Sequence, residues 1–374
     1  MTDYRYVDTA AALAEVIAAA RGEPLVAADT EAASFHRYKD RVYLVQLSTR
    51  RSTAVIDPLA ITDFSPFGAL LADTEVEKVF HDADYDLRTL DRDYSVRARH
   101  LFDTRIAAQL LGEPAIGLAA LLEKFVGVRL TKAHQRADWS QRPLTSAMLA
   151  YAADDTRHLP QLRDAMRERL TTLGRLAWAE EEFHHLEDLR WTGPADDGLA
   201  YQRVKGAKAL PPRSLAALRE LVAWRNAVAA ERDTALFRVI GNEVLLGVSR
   251  ALPRSLGDLG AIKDLPASLA RRHGPALVAA VGRALALAEP DLPTRERAPR
   301  APHDPELDAR VERLKAARNT VAQQLGLDPG VLCGKSTLEA IARQRPADLA
   351  ALARIEDVRK WQVAVLGAAL LAAF

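Results

Sequence analysis

The chain has 374 residues, of which 49% are hydrophobic and 27% are charged, as expected of a folded protein with two or three domains. Its net charge of +1 divides into −8 over residues 1–200 and +9 over residues 201–374, so the near-neutral total does not exclude a protein that acts on nucleic acids. The single cysteine, Cys333, excludes an internal disulfide framework, and no apolar run reaches the ~20 residues of a transmembrane helix, so we expect a cytoplasmic protein.

The first half of the chain alternates predicted strands and helices. Short apolar or β-branched runs predict strands at 25–28, 42–47, 53–56 and 78–80. A polar turn separates the second and third strands, which predicts that they pair antiparallel. The spacing of apolar residues predicts helices over 84–94, 103–111, 118–126 and 146–170. This order predicts an α/β domain in which helices flank a mixed sheet.

The second half has almost no strand pattern and repeats itself at a constant offset of 93 residues. Without gaps, 12 of 41 positions are identical between residues 225–265 and residues 318–358. The shared positions are mostly apolar and at helical spacing, which predicts two copies of one small all-α module. Five prolines and mixed charge in residues 289–305 predict a linker between the copies.

Two carboxylates follow the first predicted strand, in the sequence Asp29-Thr30-Glu31. Residues i and i+2 of an extended segment project from the same face, so Asp29 and Glu31 are expected side by side. Neighbouring carboxylates repel each other unless a cation lies between them, and Mg²⁺ prefers such oxygen ligands. A solvated strand end is the simpler explanation of this pair taken alone.

Two further acidic clusters change that interpretation. Residues 81–86 read His-Asp-Ala-Asp-Tyr-Asp after another strand, although acids at a helix start also complement the helix dipole. Tyr151 and Asp155 lie four residues apart and therefore on one face of a predicted helix, whereas Asp154 points elsewhere. Carboxylates from two strand ends and a later helix can bind two metal ions for phosphodiester hydrolysis, with a tyrosine hydroxyl to orient the water.

The order of these motifs resembles the DEDDy 3′→5′ exonucleases of ribonuclease H-like fold, and specifically the ribonuclease D family. Residues 29–31, 81–87 and 151–155 are similar to the three exonuclease motifs of that family. Residues 201–206 and the 93-residue repeat resemble its two HRDC modules. The resemblance covers nearly the whole chain, and the combination is far more specific than any single motif. Shorter similarities connect the motifs: Val45-Gln46-Leu47, Phe102-Asp103-Thr104, Gly117-Leu118, Asp138-Trp139 and Arg142-Pro143-Leu144.

The resemblance implies an architecture. An exonuclease domain over residues 1–195 would be followed by HRDC modules over residues 205–288 and 306–374, joined by the linker over residues 289–305. The fold expected for the first part is the α/β ribonuclease H-like fold, and the two modules are expected to be all-α.

The resemblance also implies roles for individual residues. The expected ligands of two divalent ions, Mg²⁺ or Mn²⁺, are Asp29, Glu31, Asp86 and Asp155. Glu31 and Tyr151 are the expected catalytic residues, and Tyr151 would position the attacking water. Chemistry alone does not prefer Asp86 over Asp82 or Asp84. Ala32 and Ala33 depart from the family pattern, because many members carry a bulkier residue there that could wedge against the terminal base.

The implied activity is that of a 3′→5′ exoribonuclease that releases nucleoside 5′-monophosphates. The expected partners are RNAs with a single-stranded 3′ end, tRNA precursors among them, in the 3′ maturation of tRNA and other structured RNAs. A DNA-directed exonuclease of the same chemistry and a non-catalytic RNA-binding scaffold stay open as alternatives.

Basic residues crowd the start of the second half. We expect some of them to contact the RNA backbone, although a solvated helix surface would explain them too. The candidates are Lys205, Lys208, Arg213 and Arg225. No nucleotide cofactor is expected, because residues 330–336 have three residues between their glycines where a phosphate-binding P-loop has four.

Overall fold

The computed structural model describes residues 4–131, 133–193, 198–294 and 304–374. The chain forms two compact units, and the division does not follow the order of the sequence. The first unit comprises Met1–Glu31, Val42–Trp191 and Ala301–Phe374, and the second comprises Ala32–Arg41 and Thr192–Arg300. Within the described residues, no helix has both the length and the apolar character needed to cross a membrane.

A mixed sheet forms the centre of the first unit. Its strands are β1 (Arg5–Val7), β2 (Leu25–Ala32), β3 (Val42–Ser48), β4 (Thr53–Ile56), β5 (Glu77–Phe80) and β6 (Leu101–Asp103). In the described residues they follow the order β1-β4-β3-β2-β5-β6. As predicted, β3 and β4 pair antiparallel, with Val45 opposite Ile56. The pairs β1–β4, β2–β5 and β5–β6 are parallel, and every residue of β3 is buried, as expected of a strand covered on both faces.

Helices between residues 10 and 186 surround this sheet. They are α1 (Ala10–Arg21), α2 (Ser65–Ala72), α3 (Asp84–Tyr94), α4 (Thr104–Leu111), α5 (Leu118–Phe125), α6 (Ser146–Arg157), α7 (Leu159–Thr172) and α8 (Leu176–Leu186). The single helix predicted over 146–170 is wrong, because α6 ends at Arg157 and α7 begins at Leu159. Pro160 explains the break, since proline has no backbone N–H to donate within a helix and is tolerated only in its first turn.

The predicted duplication in the second half is confirmed. The first copy contains α9 (Pro212–Glu231), α10 (Leu236–Val239), α11 (Asn242–Ala251), α12 (Leu256–Leu259) and α13 (Ala267–Leu285). The second contains α14 (Pro305–Leu325), α15 (Pro329–Leu332), α16 (Lys335–Gln344), α17 (Leu349–Leu352) and α18 (Lys360–Leu371). Helices α10 to α13 each begin 93 residues before α15 to α18, the offset found in the sequence. The expected boundary at residue 195 and residues 295–303 of the expected linker lie outside the described residues.

The second copy shares a hydrophobic core with the sheet domain, a packing that the linear order did not predict. The indole rings of Trp178 and Trp361 stack with centroids 5.1 Å apart and an interplanar angle of 14°. The guanidinium of Arg175 donates to the carbonyl oxygens of Leu110, at 2.8 Å, and Leu325, at 2.6 Å, which lie in α4 and α14. These contacts pack the start of α8 against both the sheet domain and the second copy.

Candidate active site

Strand β2 presents the first two predicted metal ligands. It extends beyond the predicted strand end to Ala32, so Asp29 and Glu31 lie two positions apart on one face of a regular strand. Helix α6 brings Asp155 to the same place. Ligand oxygens of Asp29, Glu31 and Asp155 all lie within 4.8 Å of one another, the only such grouping among the described residues.

The position of Asp155 is fixed by the packing of α6 on the sheet. Thr156, the next residue, is fully buried, and its hydroxyl lies 2.7 Å from the hydroxyl of Ser48 in β3. The Ser48 hydroxyl is in turn 2.9 Å from that of Thr53 in β4. This buried hydroxyl chain ties α6 to two strands and so holds Asp155 opposite β2.

Asp86 belongs to the same cluster through Thr30. It lies in the first turn of α3, is 6% exposed, and accepts hydrogen bonds from both the backbone N–H (3.1 Å) and the hydroxyl of Thr30. Thr30 stands between Asp29 and Glu31, so Asp86 is bonded to the residue that separates the other two carboxylates. Of the three aspartates in this segment, Asp84 instead binds Arg88 and Asp82 binds Arg105.

Burial and mutual repulsion raise the pKa values of these carboxyl groups. Burial is the largest cause for each, followed for Asp29 by the charges of Asp86 and Asp155 and for Glu31 by those of Asp155 and Asp86. The pKa of Asp86 rises to about 7, and so does that of Asp155, where Asp154 adds to the effect of burial. A cluster that resists ionisation in this way fits divalent cations, because their charge and preference for oxygen ligands offset both penalties.

Tyr151 stands one helical turn before Asp155 and faces the cluster. Burial and the charges of Asp155, Glu31 and Asp29 hold the pKa of its hydroxyl above the usual value, so Tyr151 keeps its proton. Its ring contacts Trp139, with centroids 6.1 Å apart, and His134, with centroids 5.8 Å apart. Trp139 is 1% exposed, so it supports Tyr151 by packing and does not present its face to a base.

The carboxylates and Tyr151 line a cavity of about 530 Å³. One wall carries His81, whose Nδ1 lies 2.9 Å from the Thr104 hydroxyl. That hydroxyl donates to the Phe80 carbonyl at 3.1 Å, so it accepts from His81, which therefore carries its proton on Nδ1. Burial lowers the pKa of His81 to about 4, so the imidazole is neutral near pH 7. Arg105 lines the same wall, and the sequence patterns gave no reason to single it out.

The four basic residues predicted to bind RNA lie in the second unit and differ in their surroundings. Arg225 is 6% exposed and donates to the Asn242 side chain at 2.6 Å. Arg213 donates to the carbonyl oxygens of Ala284, at 3.1 Å, and Leu287, at 2.6 Å. These contacts hold the module together. Lys205 and Lys208 line a surface cavity of about 660 Å³, and RNA binding stays a prediction for all four.

The raised pKa values predict how metal ions should affect stability. Groups whose pKa rises on folding hold protons that the unfolded chain has released, so their contribution to stability is lost as pH increases through the folded pKa values near 7. Divalent ions bind the deprotonated form and oppose this loss. We therefore expect Mg²⁺ to raise the melting temperature by several degrees more at pH 8 than at pH 5.5.

The measurement is thermal unfolding with Mg²⁺ or with chelator at both pH values. Asp29→Asn should remove most of the Mg²⁺ effect. Asp154→Asn should keep most of it, because the Asp154 side chain is 44% exposed and forms an ion pair with Arg157 at 3.1 Å. An equal Mg²⁺ effect at the two pH values would contradict the assignment of the raised pKa values to the metal ligands.

Comparisons with known proteins match this geometry. Residues 4–171 match the family model described as 3′-5′ exonuclease, and residues 214–281 and 308–374 each match the HRDC domain. The chain is 33% identical to ribonuclease D of Pseudomonas paraeruginosa, over 99% of this chain and 97% of that protein. It is 35% identical to ribonuclease D of Escherichia coli, over 78% of this chain and 77% of that protein.

Solved structures give the same result. The crystal structure of Escherichia coli RNase D, described as an exoribonuclease involved in structured RNA processing, superposes with a TM-score of 0.72 at 29% identity, covering 99% of this chain and 98% of that one. The catalytic core of RRP6 from Trypanosoma brucei superposes with a TM-score of 0.67 at 29% identity, covering 76% of this chain and 80% of that one.

Proposed function

Because the chain belongs to the ribonuclease D family and is a 3′→5′ exoribonuclease, we propose that it hydrolyses RNA at the carboxylate-lined cavity, with two bound divalent ions. The proposed ligands are Asp29, Glu31, Asp86 and Asp155, and the proposed ions are Mg²⁺ or Mn²⁺. The convergence of Asp29, Glu31 and Asp155 carries the proposal, because three half-buried carboxylates within 4.8 Å repel one another unless a cation lies between them.

The reaction would release one nucleoside 5′-monophosphate per cycle. Bound divalent ions would supply an activated water and would stabilise charge on the scissile phosphate and the leaving 3′-oxygen. The protein would contribute a rigid arrangement: a regular strand presents two carboxylates, and the hydroxyl contacts of α6 and Thr30 fix the other two. Ligands that need no rearrangement during the reaction lower its barrier.

Tyr151 would orient the attacking water through its hydroxyl. Since its pKa lies above the usual value, it would act as a hydrogen-bond donor and not as a base. We expect Tyr151→Phe to lower kcat by roughly a hundredfold, within the range seen for positioned proton-bearing groups, and to leave KM nearly unchanged. Steady-state kinetics on a short RNA would measure both constants.

The matched control for this variant is Tyr94→Phe, which removes the hydroxyl of a tyrosine outside the cavity and keeps its contact with Phe64. It should leave kcat unchanged. If Tyr151→Phe raised KM and left kcat at the wild-type value, Tyr151 would bind substrate and would not position the water.

We propose RNAs with a single-stranded 3′ end as substrates, tRNA precursors among them, and 3′ maturation in the cytoplasm as the role. The relative from Escherichia coli, described as acting in structured RNA processing, supports this class. We also propose the expected boundaries, with an exonuclease domain over residues 1–195 and HRDC modules over residues 205–288 and 306–374. Lys205 and Lys208 are our first candidates for phosphate contacts in the second unit.

The direct test follows a 5′-labelled hairpin RNA with a single-stranded 3′ tail. Purified protein with Mg²⁺ should shorten the tail stepwise, stop near the duplex, and release 5′-monophosphates. Chelator should abolish the products, and an all-deoxy tail should be a poorer substrate because it lacks the 2′-hydroxyls. Internal cleavage, 3′-phosphate products or undiminished activity in chelator would overturn the proposal.

A further inference from the structure

One wall of the carboxylate-lined cavity carries a positively charged side chain. Among the described residues that line the cavity, Arg105 is the single lysine or arginine. His81 beside it is neutral near pH 7 and adds no second charge. The cavity therefore has an acidic side, which includes Asp29 and Asp155, and a wall with one guanidinium.

Contacts between residues 81–83 and residues 103–105 build this wall. The Asp103 carboxylate accepts from the backbone N–H of Ala83 at 2.7 Å, and the Thr104 hydroxyl accepts from His81. Arg105 donates to the Asp82 carboxylate at 2.6 Å. Asp103 also accepts from the backbone N–H of Arg105 at 2.8 Å, so the start of α4 is anchored on both sides. This anchoring fixes the base of the Arg105 side chain relative to the cavity.

Asp82 is held in an unusual conformation for a residue other than glycine, with φ of 67°. Aspartate tolerates this left-handed region better than most residues, although it still carries an energetic cost. The ion pair that results is partly open to solvent, with 41% of the Arg105 side chain and 54% of the Asp82 side chain exposed. Exposed ion pairs contribute little to stability, so fold stability does not account for this arrangement.

We propose that Arg105 binds a backbone phosphate of the RNA, the one on the 5′ side of the scissile phosphate, and that Asp82 holds the guanidinium until RNA displaces it. This inference rests on the proposed function, because it takes the carboxylate cluster as the point of cleavage. The nucleotide to be released carries no phosphate on its 3′ side. Any second phosphate in the cavity therefore precedes the scissile one, and it requires a cation that the carboxylates cannot provide.

Guanidinium suits this role better than an ammonium would. Its planar donors match the oxygens of a phosphate in pairs, and such charge-assisted hydrogen bonds are stronger than neutral ones. Asp82 occupies one nitrogen, Nη1, so a phosphate would replace one carboxylate and gain a second donor. Loss of the Asp82 charge should consequently strengthen RNA binding, whereas loss of the Arg105 charge should weaken it.

The first test compares Arg105→Gln with Arg5→Gln in steady-state hydrolysis of a single-stranded RNA. Arg5 makes a somewhat more exposed ion pair, 2.7 Å from Glu15, and does not line the cavity. Arg105→Gln should raise KM roughly tenfold with little change in kcat, and should flatten the dependence of log KM on log salt concentration by about 0.7, the value for one single-strand phosphate contact. The KM of Arg105→Lys should lie between those of the wild type and Arg105→Gln, and the KM of Asp82→Asn should be lower than that of the wild type.

The second test locates the phosphate by substituting uncharged methylphosphonates one position at a time. With the wild-type protein, substitution just 5′ of the scissile phosphate should raise KM, and with Arg105→Gln the same substitution should have no further effect. Such non-additivity marks a direct interaction. Equal losses for the two proteins at every position, or a wild-type KM and salt slope for Arg105→Gln, would overturn the inference.

A separate variant distinguishes failure of the Arg105 inference from failure of the proposed function. Asp29→Asn in the same assay tests the carboxylate cluster alone, since it leaves the Asp82–Arg105 pair intact. If Asp29→Asn were inactive while Arg105→Gln had the wild-type KM and salt dependence, only the inference about Arg105 would be rejected. Activity in Asp29→Asn would reject the proposed function itself, whatever Arg105→Gln showed.

Discussion

Asp29→Asn should lower kcat for RNA hydrolysis by roughly a thousandfold or more, the largest loss we expect from any single conservative change in this protein. The side chain keeps its size and can still occupy its place on β2, but it loses the charge that would hold a divalent ion. Because Asp29 is half-buried beside Asp86 and Asp155, its ionised form is disfavoured in the metal-free protein. The variant should therefore unfold at the same temperature as the metal-free wild type, or higher.

The loss of activity without loss of stability distinguishes a metal ligand from a structural residue. Kinetics in saturating Mg²⁺ and thermal unfolding in chelator would measure the two quantities. Asp154→Asn is the control, because it removes a carboxylate from the same helix as Asp155, at a partly exposed position where Asp154 forms an ion pair with Arg157. A fall in activity for Asp29→Asn matched by a fall in melting temperature would contradict the assignment.

Local periodicity in the sequence indicated which of the proposed ligands share a face. Strand geometry puts Asp29 and Glu31 on one face, and helix geometry puts Asp155 on the face of Tyr151. The choice of Asp86 over Asp84 rested on resemblance, yet helical phase also favours it. Asp86 lies four residues before buried Leu90 and so faces the sheet, while Asp84 is two residues out of phase and faces Arg88.

Features that depend on contacts distant in sequence were not predictable. The pairing of Trp178 with Trp361 joins residues 183 positions apart, and nothing local to either indole indicates the other. The sequence around Arg105 likewise does not indicate the phosphate contact that we propose for it. That proposal depends on the loop at Asp82 that faces Arg105. Composition also did not indicate that Arg225 is buried and donates to the Asn242 side chain, although RNA binding by Arg225 stays a prediction.

The break between α6 and α7 was missed although a local signal in the sequence marks it. Apolar spacing continues through Leu159 and Leu162, so periodicity alone favours one helix. Pro160 was visible in the sequence and should have outweighed that pattern, since a proline in a helix interior removes one hydrogen bond and clashes with the preceding turn. The break separates the helix that carries Tyr151 and Asp155 from the longer helix behind it.

In the proposed mechanism, the carboxylate cluster holds divalent ions against the scissile phosphate of RNA. Replacing either non-bridging oxygen of that phosphate by sulfur tests it, because Mg²⁺ binds sulfur poorly and the softer Mn²⁺ binds it better. For at least one of the two diastereomers we expect hydrolysis in Mg²⁺ to slow by roughly a hundredfold or more, and Mn²⁺ to restore most of the rate.

The measurement is single-turnover cleavage of each diastereomer, with a phosphorothioate several nucleotides away as the control that neither ion should affect. Rescue by Mn²⁺ at the scissile phosphate in the wild-type protein is the result that this account predicts. Equal rates in Mg²⁺ and Mn²⁺ for both diastereomers, relative to the all-oxygen RNA, would contradict it.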